Sequence, residues 1–307
     1  MGGEKAGMIS IEQVTKKFGG IRALDQVEAQ ISENSIFGLA GTNGAGKSTL
    51  LRVISGVLRP EEGQVKIDGL PVWENPAAKR RLCFIPDTSC FFPNATSEMM
   101  RDYYRVIYPE FDSGRFDELL EQFGLDPRRK IQTFSKGMKK QVSVLLGICT
   151  NTEYLLCDET FDGLDPVMRQ AVKSLFASEI LNRKFTPVIA SHSLREIEDI
   201  CDHVGLLHRG GILFSRELDD MKLEIHKIQC VIPDPLKEEE LLCEMEVLQH
   251  SKRGSLLTVI VRGSEEEVER KIMEKQPLFS EILPLSLEEI FISETEVAGY
   301  DVKNLIF

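Results

Sequence analysis

Short apolar runs separated by glycine-containing breaks fill the first part of the chain. The runs MISIEQV, QVEAQIS, SIFGLA and QVKIDG lie between residues 8 and 69, RLCFIP follows them, and all have the length and composition of β-strands. A glycine-rich turn follows SIFGLA, and the periodicity after it predicts a helix over residues 47–57. The chain is therefore expected to open with strands and one strand, turn and helix unit.

Helical periodicity replaces this pattern between about residues 88 and 150. Met100 and Tyr104 fall on one face of a predicted helix, and Phe116 and Leu120 fall on one face of the next. Two strands of the buried type follow, YLLC and PVIAS, with a helix between them, and VGLLHRGGILFSR then has the pattern of a hairpin. This alternation predicts an α/β fold, in which a parallel sheet is covered on both faces and region 88–150 is an inserted helical subdomain.

A second change in composition, near Asp220, predicts a smaller C-terminal domain. Residues 221–307 are more acidic, and the strand-like runs KIQCVIP and SLLTVIV alternate there with helical patterns. SEEE from Ser264 and SLEE from Ser286 read as capping boxes, in which serine and glutamate satisfy the free amides of a helix start. We predict a first domain over residues 8–220 and an α+β accessory domain over residues 221–307.

The overall composition excludes several classes of protein. The 307 residues carry a formal net charge of −12, whereas nucleic-acid binding needs clustered Lys and Arg, so no nucleic-acid partner is expected. The seven cysteines form no C-x-x-C pair, which is typical of a reducing compartment. No run approaches the roughly 18 apolar residues of a transmembrane helix, and MGGEKAGMIS lacks the apolar centre of a signal peptide. We expect a cytoplasmic protein.

A phosphate-binding loop is predicted at the turn after SIFGLA. The stretch GTNGAGKST matches G-x-x-x-x-G-K-[ST] between a predicted buried strand and a helix, the context that this motif requires. Its residues are Gly41, Thr42, Asn43, Gly44, Ala45, Gly46, Lys47, Ser48 and Thr49. The glycines let backbone amides surround phosphates, Lys47 reaches the β- and γ-phosphate oxygens, and Ser48 is placed to ligate Mg²⁺. On its own, the motif fits a small-molecule kinase as well as an ATPase.

Acidic residues follow a later buried strand. Asp158 and Glu159 end the strand of YLLCDET, at the edge where open α/β sheets bind ligands. Combined with the phosphate loop, this position predicts that Asp158 binds Mg²⁺ and that Glu159 polarises the attacking water. The strand PVIAS leads to His192, whose imidazole is expected to reach the γ-phosphate from the same edge of the sheet.

The stretch TFSKGMKKQVSVLLG, residues 133–147, predicts a helix whose N-terminus suits an anion. Ser135 is a candidate N-cap, and Val142 and Leu146 belong to one buried stripe. With Gly137 in the first turn, the free amides and the positive end of the helix dipole favour a phosphate there. Because this helix lies far along the chain from the phosphate loop, the residues alone do not say whose phosphate it binds.

Taken in order, these motifs resemble the ATP-binding subunit of an ABC transporter over about residues 8–220. Phe18 is similar to the aromatic residue that stacks on adenine, residues 135–141 to the signature motif, residues 163–165 to the D-loop, and His192 to the switch histidine. The resemblance implies a P-loop ATPase that takes ATP and Mg²⁺. It also implies a head-to-tail homodimer, in which Ser135 and Gly137 bind the partner's phosphate, and a separate transmembrane permease subunit that holds the chain on the inner face of the plasma membrane.

Four positions depart from the pattern of that family. They are Phe18 for tyrosine, Asp87 for the Q-loop glutamine, Lys136 for the first signature glycine and Thr160 for proline. Asp87 adds a carboxylate near the expected cation, and we count it as a third metal ligand. The SKGM form, the acidic Asp87 and the tail PLSLEEIFISE are similar to bacterial type-2 exporters of drugs, peptides or antibiotics. Since Lys47, Glu159 and His192 are retained, we expect hydrolysis.

Two alternatives stay open at this point. A soluble ABC-type ATPase with a non-membrane partner would usually carry two cassettes or a long coiled coil and would favour basic patches, whereas this chain has one cassette and a pI near 5.1. A P-loop kinase would lack the signature, D-loop and histidine, and it would transfer phosphate to an acceptor other than water.

Overall fold

A computed structural model of the protein describes residues 8–297. The chain divides between Ser215 and Arg216, near the end of one strand, into two compact units, which are described separately below. In the described part, no helix has both the length and the apolar character needed to span a bilayer.

The first unit contains the strands and helices that form the candidate site. Its strands are β1 (Met8–Phe18), β2 (Ile21–Ser32), β3 (Phe37–Ala40), β4 (Glu62–Ile67), β5 (Leu70–Pro71), β6 (Leu82–Ile85), β7 (Tyr154–Asp158), β8 (Thr186–Ser191), β9 (His203–His208) and β10 (Gly211–Glu217). Its helices are α1 (Lys47–Ile54), α2 (Pro76–Lys79), α3 (Ser97–Ile107), α4 (Ser113–Gln122), α5 (Lys136–Cys149), α6 (Pro166–Asn182) and α7 (Leu194–Ile200), with a 3₁₀ turn at Ile131–Thr133.

A six-stranded sheet in the order β10-β9-β3-β8-β7-β6 forms the centre of this unit. The pairs from β9 to β6 are parallel, and β3, β7 and β8 are buried at every position. Strands covered on both faces need apolar residues throughout, which is why SIFGLA, YLLC and PVIAS are continuous apolar runs. The predicted parallel sheet is confirmed, and its carboxyl edge receives the residues that follow β3, β7 and β8.

A separate antiparallel sheet, in the order β2-β1-β4-β5, accounts for the other early strands. Exposed and buried positions alternate along much of β1 and β2, as expected where one face packs on the core and the other faces water. We did not predict this second sheet, since short apolar runs in the sequence do not show whether a strand belongs to the parallel or to the antiparallel sheet.

One helix start and one helix end illustrate the local signals. Ser135 caps α5, accepting a hydrogen bond from the Met138 amide at 3.1 Å, as predicted. The helix predicted over residues 47–57 ends earlier, at Ile54, because Gly56 adopts a left-handed conformation with φ of 67°. The helical region contains α3, α4 and α5, which pack on one another through buried residues such as Phe116 and Leu120.

The second unit is an α+β structure. Its elements are α8 (Leu218–Glu224), β11 (Ile225–Val231), α9 (Pro235–Glu244), β12 (Glu246–Arg253), β13 (Leu256–Arg262), α10 (Glu265–Glu274), β14 (Phe279–Leu283) and α11 (Leu287–Val297). The strands form one antiparallel sheet in the order β12-β13-β11-β14. Ser286 and Glu289 form the reciprocal capping box, whereas Ser264 caps α10 without a return bond, since the Glu267 carboxylate pairs with Lys271.

Candidate nucleotide-binding site

The glycine-rich loop joins the end of β3 to the start of α1, at the carboxyl edge of the parallel sheet. Gly46 has φ of 111°, and a Cβ built there would lie 2.5 Å from the Ala23 carbonyl oxygen. No other residue type fits this position without moving the backbone. The tight turn places Lys47 at the first helical position and leaves the first amides of α1 without partners inside the helix.

Lys47 is buried beneath the loop. Its Nζ donates to the carbonyl oxygens of Gly41 at 2.7 Å and Thr42 at 3.2 Å, and it lies 3.6 Å from Glu159 Oε1. Burial lowers the pKa of the Lys47 ammonium, an effect that the Glu159 carboxylate opposes. The ammonium group is thus held at the floor of the loop, beside the space that the loop encloses.

Ser48 and Asp158 form a second pair of groups beside the loop. The Ser48 hydroxyl donates to Asp158 Oδ1 at 2.9 Å, whereas Asp158 Oδ2 is buried with no hydrogen-bond partner among the described residues. Burial raises the pKa of the Asp158 carboxyl, and the bond from Ser48 opposes this rise. A buried acceptor without a donor is costly, and a hydroxyl and a carboxylate oxygen are ligands that Mg²⁺ prefers. The pair therefore fits a divalent cation.

Glu159 follows Asp158 in a left-handed conformation, with φ of 47°. Its amide donates to the Ala190 carbonyl oxygen at 2.9 Å, and its Oε2 lies 2.8 Å from His192 Nδ1. The His192 amide also donates to Oε2, at 3.4 Å. The carboxylate is thus held between Lys47 on one side and the imidazole on the other.

Lys47, Ser48, Glu159 and His192 line one cavity of about 380 Å³, whereas Asp158 does not line it and is joined to it by the hydrogen bond from Ser48. The cavity is lined by Ala23, Asn43, Gly44, Gly46, Lys47, Ser48, Thr49, Asp87, Glu159, Asp162 and His192. Most of the predicted nucleotide-binding residues are therefore brought together. Gly41, Thr42 and Ala45 do not line the cavity: the carbonyl oxygens of Gly41 and Thr42 accept from Lys47, and Ala45 is buried within the loop.

The remaining predicted residues lie outside this cavity. Phe18 ends β1 with 47% of its surface exposed, and the Lys16 ammonium lies 5.5 Å from the centre of its ring. Ser135 is exposed at the start of α5, and Gly137 lies next to it. A Cβ on Gly137 would lie 2.9 Å from the Gly163 carbonyl oxygen, so the start of α5 packs closely on the loop after β7.

Three residues of this region were missed by our sequence analysis. Ala23 and Asp162 line the cavity although neither belongs to a motif that we used. Asp162 pairs with the exposed Lys136, which lowers the pKa of the Asp162 carboxyl, while the pKa of Lys136 is raised in turn. Lys140 is buried and pairs with Asp87, with Nζ 3.0 Å from Oδ1. Its position in KKQ gives no signal of this partner.

The parallel strands bring the glycine-rich loop with Lys47, the acidic residue Glu159 and the imidazole of His192 to one cavity. This arrangement defines the class of P-loop ATPases. Comparison with known proteins narrows that class. The profile of the family described as ABC transporter matches residues 24–162. The chain is also 31% identical to the ABC transporter ATP-binding protein YtrB of Bacillus subtilis, over 94% of this chain and 98% of YtrB. The chain therefore belongs to the ATP-binding proteins of ABC transporters.

Two further similarities support the same family. The bacitracin transport ATP-binding protein BcrA of Bacillus licheniformis is 31% identical over 70% of this chain and 71% of its own length. A solved structure of the ATP-binding subunit of an ABC transporter superposes with a TM-score of 0.64 at 26% identity, over 70% of this chain and 92% of that one. The predicted fold class and family are confirmed: the chain binds and hydrolyses ATP as the subunit that supplies energy for transport, which implies a transmembrane partner.

Proposed function

We propose that this chain drives the export of a drug, peptide or antibiotic through a separate transmembrane subunit, on the cytoplasmic face of the membrane. In this proposal two copies pack head to tail, and ATP binding closes the dimer. The observation that carries the dimer is the position of Ser135: it caps an exposed helix N-terminus that lies outside the cavity of its own chain. A second copy would bring a phosphate to those amides.

Residues in and beside the cavity have distinct roles in this proposal. Lys47 and the loop amides bind the phosphates, and Phe18 stacks on adenine through its exposed ring. Ser48 and Asp158 hold Mg²⁺, with Asp87 adding negative charge at the edge of the same cavity. When bound, the cation neutralises charge on the phosphate oxygens.

Glu159 and His192 complete the hydrolytic machinery. The Glu159 carboxylate accepts a proton from the attacking water, which makes the water a better nucleophile towards the γ-phosphate. His192 orients this carboxylate through the 2.8 Å contact and reaches the γ-phosphate from the same edge of the sheet. The energy of closing and opening the dimer is then passed to the transmembrane subunit.

The cation assignment predicts a specific effect of Asp158→Asn. The amide keeps an oxygen for the Ser48 hydroxyl but replaces an anionic ligand with a neutral one. We expect the Mg²⁺ concentration for half-maximal ATP hydrolysis to rise by at least about tenfold, the scale of losing a partner of a metal site. A Mg²⁺ titration at saturating ATP measures this, with Asp219→Asn on exposed α8 as the matched control. An unchanged midpoint in Asp158→Asn would argue against the assignment.

The antibiotic susceptibility of cells distinguishes a role in export from a role in uptake. We expect cells that lack this chain to become more susceptible to at least one member of a panel of peptide and lipid-targeting antibiotics. Complementation with the unaltered chain restores growth, and complementation with Glu159→Gln does not. Unchanged susceptibility, combined with loss of uptake of a nutrient, would instead support an importer.

A further inference from the structure

Lys140 is a buried, positively charged residue to which the proposed function assigns no role. It lies in the second turn of α5 with 2% of its surface exposed. Its Nζ donates to the Asp87 carbonyl oxygen, to Asp87 Oδ1 at 3.0 Å and to the Glu159 carbonyl oxygen at 3.0 Å. An ammonium group has three protons to donate, so these acceptors satisfy all of them.

The acceptors of Lys140 come from the ends of two neighbouring strands. Asp87 lies two residues beyond β6, and Glu159 directly follows β7, which pairs with β6 in parallel. Burying a charge without partners is costly, so the three bonds hold α5 and both strand ends in one arrangement. Lys140 itself does not line the nucleotide cavity.

The contact with Glu159 matters most, because the backbone of this residue is unusual. Its left-handed conformation is unfavourable for a residue with a Cβ and persists only where surrounding contacts determine it. The Glu159 amide donates to the Ala190 carbonyl oxygen, and the Glu159 carbonyl oxygen accepts from Lys140 Nζ at 3.0 Å and more weakly from the Asp162 amide at 3.4 Å. Lys140 therefore supplies the shorter of the two bonds to the Glu159 carbonyl oxygen, next to the carbon that carries the side chain.

We propose that Lys140 is a positioning residue for ATP hydrolysis. It holds the Glu159 carbonyl and thereby aims the Glu159 carboxylate into the cavity, while Asp87 serves as its counter-charge. This inference rests on the proposed role of Glu159 as the base. Because Lys140 acts through Glu159 and touches no nucleotide, its loss lowers kcat and leaves ATP affinity largely unchanged.

The test compares Lys140→Met with Ser143→Ala. Methionine retains the length of the side chain but has no proton to donate. Ser143 also links α5 to the segment after β6, through a 3.0 Å bond to the Ser89 hydroxyl, but it does not contact Glu159. We expect kcat of Lys140→Met to fall by about tenfold or more, with KM for ATP changed by less than about threefold, since small misplacements of a reacting group carry such costs. Ser143→Ala keeps both parameters.

Hydrogen exchange supplies a readout independent of turnover. In nucleotide-free Lys140→Met, amides of residues 157–163 are expected to exchange faster, while those of residues 41–52 and of the second half of α5 do not change. If Lys140→Met does not accumulate, Lys140→Leu replaces it, since leucine also has no proton to donate and the change leaves Asp87, which lines the nucleotide cavity, unaltered. Unchanged kcat, or equal losses of kcat, ATP binding and protection across the whole unit, would overturn the proposal. Normal turnover in Glu159→Gln would instead refute the base assignment.

Discussion

Glu159→Gln is expected to bind ATP but to lose hydrolysis by about 100-fold or more, the scale of removing a general base. The amide is nearly the same size as the carboxylate but does not accept a proton from water. Without hydrolysis the closed state has no route to open, so the variant should accumulate as an ATP-bound dimer. Single-turnover hydrolysis assays measure the first effect, and light scattering with and without ATP measures the second.

Glu121→Gln is the matched control for this change. Glu121 is exposed on α4 and does not line the nucleotide cavity. The Glu121→Gln variant should hydrolyse ATP like the unaltered chain and return to the monomer as ATP is consumed. Normal turnover in Glu159→Gln would refute the role of Glu159, whereas lost turnover without any dimer would refute the head-to-tail arrangement.

Lys47→Met is expected to weaken ATP binding by about 100-fold, and hydrolysis falls with it. Two charge-assisted hydrogen bonds to phosphate oxygens contribute about 3 kcal/mol together, which corresponds to that factor. The buried ammonium of Lys47 also binds the carbonyl oxygens of Gly41 and Thr42, so its loss loosens the loop as well. Equilibrium binding of a fluorescent ATP analogue measures the affinity.

Lys184→Met provides the comparison for Lys47. Lys184 is an exposed lysine near Glu33, with 3.6 Å between Nζ and the carboxylate, and it lies outside the cavity. Its replacement by methionine should leave ATP affinity unchanged. Retention of normal affinity in Lys47→Met would show that the loop amides suffice for binding, and the role assigned to Lys47 would be wrong.

The parts of the site that sequence reasoning anticipated are those set by local chain geometry. The loop from Gly41 to Thr49 is contiguous, so its spacing alone places the lysine and the serine after a buried strand. Asp158 and Glu159 were placed correctly at a strand end, because parallel strands end at one edge of the sheet. Their chemical roles remain predictions.

The contacts that were missed join distant parts of the chain. Lys140 and Asp87 are 53 residues apart, and their pairing depends on how α5 packs on the ends of β6 and β7. We interpreted Asp87 as the residue at the Q-loop position and as a metal ligand, and not as the partner of a lysine, since nothing in KKQ indicates a buried lysine. Ala23 enters the cavity because β2 lies beside the loop, which is a consequence of tertiary packing and not of a motif.

The central claim is that this ATPase works with a membrane protein. It is tested by affinity purification of the Glu159→Gln chain from its own cells in mild detergent with ATP and Mg²⁺, followed by mass spectrometry, with Lys47→Met purified in parallel. We predict that a membrane protein with several spanning segments is recovered in stoichiometric amount with Glu159→Gln. Recovery of ribosomes, nucleic acid or the chain alone would contradict the account and favour a soluble ABC-type ATPase.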